Sequence, residues 1–361
     1  MILRKMKVVL FLTIAVSSLI IVRLLKPILR VRIGQLRGHR IGHFTVNTEL
    51  YMCQRDLRID HSRTIDLFYL AEPVCNQYLA GMWKRVLKIH WFVRYLDRAN
   101  RILPGNNPHI ISLPTDIDNE GFLAKTASHL KFTPDEERIG QKMLGEMGVP
   151  YGAPFVCFQS RDSAYLENWI TNGYYDYHSY RNSSISNCIN AADSLIERGY
   201  YAIRTGHIVK ETLGSKNPML IDYAASHRSE FMDIYLASKC DFFFGGGPGN
   251  VGLFAIFRRP QARANVIPYA GVVSWHPHDL FIPKKLWLNT EDRFMYFKEI
   301  FNTEIKNFRT TSQYEEQSIT VVENTADEIN DLAIEMDGRL KGTWQTSQED
   351  EELQKQYWSL F

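Results

Sequence analysis

Short apolar runs alternate along the chain with longer segments in which apolar residues recur at helical spacing. The short runs predict strands and the longer segments predict helices. Strands that alternate with helices indicate parallel sheets and an α/β fold. The predicted strands are 31–36, 64–70, 155–158, 200–204 and 241–244, and the predicted helices are 44–53, 77–101, 133–148, 184–198, 231–238, 251–257 and 325–341.

The order of these elements indicates two Rossmann-like halves. Strand 31–36 opens the first half and strand 155–158 the second, and the segment from Pro150 to Pro154 resembles a linker. The predicted domains are an N-terminal segment 1–30, a first half 31–150, a second half 151–325 and a helical tail 326–361.

Composition narrows the class of protein. Hydrophobic residues make up 45% of the chain and charged residues 23%, with a net charge of +2. These values are typical of a globular protein, and they lack the excess of basic residues that nucleic-acid-binding proteins carry. The five cysteines are scattered without metal-ligand spacing, which favours buried, reduced thiols.

Residues 8–22 form an uncharged apolar run with basic residues on both sides. Fifteen helical residues rise about 22 Å, short of the roughly 30 Å hydrocarbon core. The run therefore predicts a helix held at a membrane face, or a short span with snorkelling flanks. A buried first helix is the alternative.

The most informative segment is FFFGGGPGN, where a predicted strand ends in a glycine-rich turn before a helix. Such a turn lets backbone N–H groups approach an anion at the positive end of a helix. The alternative is a mobile loop that binds nothing. The predicted phosphate-binding residues of this turn are Gly245, Gly246, Gly247, Gly249 and Asn250.

Two other strand ends of the second half carry arginine. Arg161 and Asp162 follow one strand, and Arg204 and Gly206 end the next. Ligands bind at the carboxyl ends of parallel strands, and arginine forks suit a diphosphate. We therefore expect these residues to bind a nucleotide diphosphate. Asp233, in the helix before the glycine-rich turn, is expected to face the same ligand.

The first half supplies a second set of candidates, in the loop after its opening strand. His43 is the predicted general base, because its ordinary pKa of about 6.5 suits proton transfer. Asp162 is expected to orient reacting groups. Asp116 and Asp118 are interpreted as a solvated turn, so no metal is predicted.

The predicted acceptor-side residues are Gly38, His39, Arg40, Gly42, Tyr177 and His178.

Several segments of the sequence resemble segments of known enzymes. FMDIYLASKCDFFFGGGPG is similar to the donor-binding segment of fucosyltransferase-like enzymes, and Ser160-Arg161-Asp162 resembles the region whose arginine contacts the nucleotide diphosphate. Most of the chain after Arg32 resembles a bacterial glycosyltransferase family. The matching segments are RIGHFTVNTELYMCQRD, MWKR, RDSAYLEN, YHSYRNS, ERGYYAIRTG, FMDIYLASKCDFFF, IFRRP and IEMDGRLKGTW.

The resemblance implies a GT-B-like fold of two facing Rossmann-like domains. It implies an inverting, metal-independent glycosyltransferase of surface polysaccharide assembly, with a GDP- or UDP-sugar as co-substrate and no other cofactor. The acceptor would be a glycan or a lipid-linked molecule at the cytoplasmic face of a membrane. The alternatives are a type II membrane protein of a secretory compartment, a nucleotide-sugar epimerase, and an inactive nucleotide- or glycan-binding protein.

Overall fold

The computed structural model describes residues 2–57, 64–105, 107–164, 176–247, 249–271 and 274–360. The chain forms two compact units, unit 1 (Met1–Lys131) and unit 2 (Phe132–Phe361). The sequence placed this boundary at 150/151. The helix α6 (Pro134–Glu146) belongs to unit 2, because it packs on a helix of that unit.

The N-terminal helix, α1 (Ile2–Leu24), is half-buried. Its Ala15 and Leu19 are buried in a cluster with Ile33, Val93 and Ala99 of unit 1. Among the described residues, no helix is long and apolar enough to cross a membrane. The transmembrane helix predicted for 8–22 is therefore not supported.

Unit 1 contains two parallel strands, β1 (Arg30–Leu36) and β2 (Thr64–Leu70), in register over their whole length. Parallel bridges from Ile33 to Ile110 and from Phe68 to Ile89 flank the pair. The predicted α/β character of the first half is thus confirmed. Its other elements are a π-helical turn (His43–Asn47), α2 (Thr48–Leu57), α3 (Gln77–Val86), α4 (Val93–Ile102), a 3₁₀ turn (Asn107–His109) and α5 (Phe122–Lys125).

The single helix predicted for 77–101 is wrong. The chain forms α3 and α4, and the residues between them run alongside β2. Phe68 N donates to Lys88 O at 2.8 Å, and His90 N donates to Phe68 O at 2.8 Å. The spacing of apolar residues suited a helix, but pairing with the edge of β2 satisfies the backbone there instead.

Unit 2 contains a sheet of six parallel strands in the order β5-β4-β3-β6-β7-β8. When the strands are renumbered from β3, this is the 3-2-1-4-5-6 order of the Rossmann fold. The strand order therefore reverses between β3 and β6. The strands are β3 (Phe155–Gln159), β4 (Tyr201–Arg204), β5 (Leu220–Ile221), β6 (Phe243–Gly246), β7 (Gln261–Val266) and β8 (Leu280–Pro283).

A smaller antiparallel sheet, β10-β9-β11, completes the strands of unit 2. It consists of β9 (Lys285–Leu288), β10 (Arg293–Phe294) and β11 (Ile319–Val322). The 3₁₀ turns of unit 2 are Asp176–Arg181, Ile185–Cys188, Tyr269–Gly271 and Glu304–Asn307. The further helices are α7 (Ile189–Glu197), α8 (Tyr223–Ser226), α9 (Glu230–Lys239), α10 (Val251–Ile256), α11 (Phe297–Phe301), α12 (Thr311–Glu316), α13 (Ala326–Leu340) and α14 (Gln348–Trp358).

Local signals fix several of these boundaries. The capping boxes predicted at Thr133 and Thr325 are confirmed, and they begin α6 and α13. Although 326–361 was predicted as a separate tail, α13 packs on α7 and β7, and its Ala333 and Met336 are buried in the main core of unit 2. The GT-B-like arrangement of the two units stays a prediction.

Candidate functional site

The candidate site lies where β3 and β6 end side by side. These are the two strands between which the order of the sheet reverses, and ligands of doubly wound α/β proteins bind beyond the carboxyl ends of such strands. In this pair Gln159 lies opposite Gly245. Ser160 and Arg161 therefore leave β3 beside the glycine-rich end of β6.

Gly245 and Gly246 belong to strand β6 and not to the predicted loop. Gly245 has a φ of 112°, and a Cβ there would lie 2.3 Å from Gln159 O. A Cβ on Gly246 would lie 3.0 Å from Ser183 Oγ. These two glycines let β6 approach β3 and the segment around Ser183, a role that their position in the predicted loop did not indicate.

Gly247 is the first residue after β6, and its environment differs. A Cβ placed on it would meet no atom within 4 Å. The backbone at Gly247 therefore adjoins open space, which an anion could occupy. Gly249 and Asn250 follow and lead into α10, while the intervening Pro248 lies outside the described residues.

Three cationic side chains converge on this edge. Arg161 donates from Nη1 to His178 O at 2.8 Å and to Asn182 Oδ1 at 3.2 Å. Arg181 donates from Nη2 to Gly247 O at 3.3 Å. Lys284, which precedes β9, donates from Nζ to Asn182 O. We call Arg161, Arg181 and Lys284 the cation cluster.

Within the described residues, the charges of the cation cluster are opposed at a distance by Asp162 and Glu323 and not by direct ion pairs. In the part of the chain that the structure describes, none of the three forms an ion pair with a carboxylate. Burial, followed by the charge of Arg181, lowers the pKa of Arg161 to about 10. Burial lowers the pKa of Lys284 to about 8 against the opposing charge of Glu323, and the charge of Arg161 adds to the lowering. Groups held in this way favour an anionic ligand.

A polar strip joins the neighbouring strand ends. Asn250 Nδ2 donates to Gln159 Oε1, and Thr205 Oγ1 lies 3.4 Å from the same oxygen. Gly206 follows Thr205, and a Cβ on it would meet Val209 Cγ1 at 2.8 Å. A cavity of about 130 Å³ lies beside this strip, lined by Ser160, Asp162, Ser183, Ser184, Ile185, Arg204, Lys210 and Glu211.

Arg204 and Asp233, both predicted to bind the donor, already have protein partners. Arg204 is 2% exposed and pairs with Asp222 at 3.3 Å. Asp233 pairs with Arg228 at 2.8 Å and accepts a bond from Tyr223 at 2.7 Å. Burial raises the pKa of Asp233 to about 6 against the opposing charge of Arg228. Their predicted contacts with a ligand stay predictions.

The candidate carboxylates Asp162 and Asp118 accept hydrogen bonds from backbone N–H groups. Asp162 accepts from Ala164 N at 3.0 Å and from Lys210 N at 2.9 Å, which ties two loops of the site together. Asp118 accepts from Phe122 N and Leu123 N at the start of α5. Asp118 therefore caps the start of α5 and is buried, so it is not the solvated residue that the sequence predicted.

The predicted acceptor-side residues fall in both units. Gly38, His39, Arg40, Gly42 and His43 lie in unit 1, in the turn after β1. Burial, with help from the charge of Arg40, lowers the pKa of His39. His43 Nδ1 lies 3.3 Å from Asn47 Oδ1, within the π-helical turn. The roles of these residues stay predictions.

Tyr177 and His178 lie in unit 2, in the 3₁₀ turn Asp176–Arg181. Their rings are 3.8 Å apart, and the carbonyl of His178 accepts from Arg161. The structure thus brings these two predicted acceptor-side residues to the cation cluster. Tyr165 and Tyr175, which precede them in the sequence, lie outside the described residues.

Sequence reasoning missed Arg181, Asn182 and Lys284. Arg181 and Asn182 lie in the quoted segment YHSYRNS, so clustered polar residues after a strand end were an available signal. Lys284 gives no such signal. It lies 37 residues after Gly247 in the printed sequence, and only the return of the chain through β7 and β8 brings it to Asn182.

Comparison with known proteins gives distant likenesses. No protein-family model matches the chain. No curated protein matches it either. A family 9 glycosyltransferase from Veillonella parvula aligns with 70% of this chain and 85% of its own, at 9% identity and a TM-score of 0.40.

Two other solved structures align with the chain. The E. coli ADP-heptose LPS heptosyltransferase II covers 70% of this chain and 90% of its own, at 10% identity and a TM-score of 0.36. The iron-containing dodecameric heptosyltransferase TibC, solved with ADP-D-β-D-heptose, covers 86% and 77%, at 11% identity and a TM-score of 0.40. Likenesses this weak do not establish a shared activity.

Burial of the Lys284 charge makes a prediction about stability. Its pKa is about 8 in the folded protein against an ordinary 10.5. Below pH 8 both states are protonated and the buried charge costs its full free energy. Between pH 8 and 10.5 the unfolded state binds the extra proton, so stability rises with pH. We expect Lys284→Met to raise the free energy of unfolding at pH 7 by on the order of 1–3 kcal/mol, and the melting temperature with it.

The advantage of Lys284→Met over wild type should shrink toward pH 10, as measured by thermal denaturation across this range. Lys216→Met, at an exposed position, is the control and should leave the pH profile unchanged. A variant that is less stable than wild type at pH 7 would show that the Lys284 charge is well compensated.

Proposed function

We propose that this protein is a glycosyltransferase that binds the diphosphate of a nucleotide-sugar donor beside the cation cluster. The observation that carries the proposal is the meeting of Arg161, Arg181 and Lys284 at the strand ends where the sheet order reverses, with no ion pair to a carboxylate among the described residues. An isolated buried charge is costly, so such a cluster is best explained by an anion that neutralises it.

A diphosphate fits the groups available. Arginine forks bind phosphate oxygens in pairs, and Lys284 adds a point charge. The open space at Gly247 allows phosphate oxygens to approach backbone N–H groups before α10. Asn250 Oδ1 is buried without a hydrogen-bond partner among the described residues, and a donor hydroxyl group could satisfy it.

Loss of cluster charge should weaken nucleotide binding. Isothermal titration of the wild type with ADP, GDP, UDP, CDP and dTDP would identify the nucleotide. For that nucleotide we expect Arg161→Ala and Arg181→Ala each to lower affinity about 10- to 100-fold, since a charged hydrogen bond contributes roughly 1.5–3 kcal/mol. Arg138→Ala is the control, because Arg138 lies exposed on α6.

A glycine variant tests the backbone part of the same site. Because a Cβ at Gly247 meets no atom within 4 Å, Gly247→Val should fold normally and still lose nucleotide binding. Circular dichroism would establish the fold. Binding that survives in Gly247→Val, or unchanged affinity in both arginine variants, would place the nucleotide elsewhere. Failure of all five nucleotides to bind the wild type would overturn the proposal.

The chemistry we propose is an inverting transfer without metal. An acceptor hydroxyl oxygen attacks C1 of the donor sugar while a base takes its proton, and the bond from C1 to the diphosphate oxygen breaks. The cation cluster would stabilise the charge on the departing diphosphate. His43 is proposed as the base, and Asp162 would orient the loops that it joins.

Hydrolysis of the donor, in which water replaces the acceptor, gives a direct test of His43. A general base contributes about 10²- to 10⁴-fold, so His43→Gln should lower the rate at saturating donor at least tenfold. A rate within about threefold of wild type would exclude His43 from proton transfer. Activity that EDTA abolishes and that Mg²⁺ or Mn²⁺ restores would contradict the metal-free mechanism, and an epimerised product would indicate an epimerase.

We also propose that α1 and the turn after it lie on an anionic membrane surface that carries a lipid-linked acceptor at the cytoplasmic face. One face of α1 is buried, while Leu10, Ile14, Ile21 and Leu24 form an exposed apolar stripe at helical spacing. Lys26 is exposed beside the stripe, and the flanking segments are rich in arginine and lysine. This combination is typical of a helix that lies in the interface.

The membrane proposal predicts binding to lipid vesicles. The wild type should sediment with vesicles that contain phosphatidylglycerol, and the double variant Ile21→Glu, Leu24→Glu should bind at least tenfold more weakly because both positions are exposed. Ile139→Glu, at an exposed apolar position on α6, is the control. Equal sedimentation of wild type and double variant would contradict an interfacial role for this stripe.

A further inference from the structure

A cluster of metal-ligand side chains lies in unit 1, where the turn after α5 meets α2. Glu49 and Cys53 are one helical turn apart on α2, and His129 faces them from the turn. Their donor atoms all lie within 4.8 Å of one another. Glu49 and Cys53 are completely buried, and the His129 side chain is 11% exposed.

The geometry among the three side chains suits a four-coordinate metal ion. His129 Nδ1 lies 3.0 Å from Glu49 Oε1. Zinc bonds of about 2.0–2.3 Å place tetrahedral ligand atoms roughly 3–4 Å apart. Thiolate, imidazole and carboxylate together favour zinc and its neighbours in the first transition row over magnesium or calcium.

A second observation concerns the other nitrogen of His129. Its Nε2 lies 2.8 Å from Asp56 Oδ2, also on α2. Histidines that bind metals usually donate their remaining N–H to a carboxylate, which fixes the tautomer and aims the free nitrogen at the ion. Asp56 holds His129 in this orientation, with Nδ1 directed at Glu49.

Neighbouring groups restrain the other two ligands. The backbone N–H of His129 donates to Glu49 Oε1 at 3.3 Å. Thr126 Oγ1 lies 3.0 Å from Cys53 Sγ. Hydrogen bonds from the same turn therefore hold the ligand side chains in place, as expected of a pre-organised metal site.

We propose that Glu49, Cys53 and His129 bind one divalent transition-metal ion, best matched by zinc, that fastens α2 to the turn at 126–129. Without metal, burial disfavours the charge of His129, but bonds to Cys53 and Glu49 outweigh it and raise its pKa to about 10. The ion would replace the proton on His129 Nδ1 and the thiol proton of Cys53. Two protons leave as one dication enters, so the net charge of the cluster does not change.

The test uses the full chain, freed of metal and titrated with Co²⁺. We expect one equivalent to bind, with a near-ultraviolet thiolate-to-cobalt band and visible bands of tetrahedral intensity. Zn²⁺ should abolish these bands by displacement. Cys53→Ser should lose the thiolate band, His129→Gln should bind at least tenfold more weakly, and Cys75→Ser, outside the cluster, should behave as wild type.

Absence of cobalt binding to the wild type would overturn the proposal, as would a thiolate band that survives in folded Cys53→Ser. If neither cluster variant folds, X-ray absorption of the cobalt-loaded wild type decides. One sulfur neighbour among nitrogen and oxygen neighbours supports the site, and a shell without sulfur overturns it. Because these readouts involve no nucleotide, they are independent of the proposed transferase activity.

Discussion

The close approach of β6 to β3 determines the geometry of the candidate site. A side chain at 245 would place its Cβ 2.3 Å from Gln159 O, so only glycine allows the two strands to pair where they do. This pairing sets the carboxyl end of β6 beside the residues that leave β3. The turn at Gly247 and the Arg161 side chain reach the same edge because of it, and the segment at Asn182 closes that edge by bonding to both Arg161 and Lys284.

The cation cluster differs from other buried charges of the described residues, which form ion pairs in both units, as Arg204 does with Asp222 in unit 2. In unit 1, Arg32 pairs with Asp66 at 2.7 Å, and His129 lies between two carboxylates. Among the residues that the structure describes, the cation cluster donates only to carbonyl and amide oxygens. Paired charges fasten structure, whereas uncompensated charges cost stability that a bound ligand can restore. The contrast favours a binding role for the cluster in unit 2 and a fastening role for the cluster in unit 1.

The capping boxes, the glycines and most of the strands were available from the sequence, because each depends on residues close together in the chain. Thr133 with Glu136 and Thr325 with Glu328 each form a reciprocal cap within four residues. The strand 64–70 was predicted with its observed boundaries. Strand β6 lies two residues later than predicted, because its pairing with β3 extends to Gly245 and its pairing with β7 extends to Gly246.

The sequence by itself determined that the chain alternates strands and helices, that Arg161 follows a strand, and that a glycine-rich segment precedes a helix. Only the tertiary structure decided which glycines serve packing and which adjoins open space. It also decided that Arg204 forms an ion pair with Asp222, and that Lys284 and Arg161 both donate to Asn182. Likewise, Glu49 and Cys53 gave no metal-ligand pattern, because His129 lies 76 residues beyond Cys53 in the printed sequence. Local spacing fixes caps and periodicity, but the meeting of charges distant in the chain depends on strand order and burial.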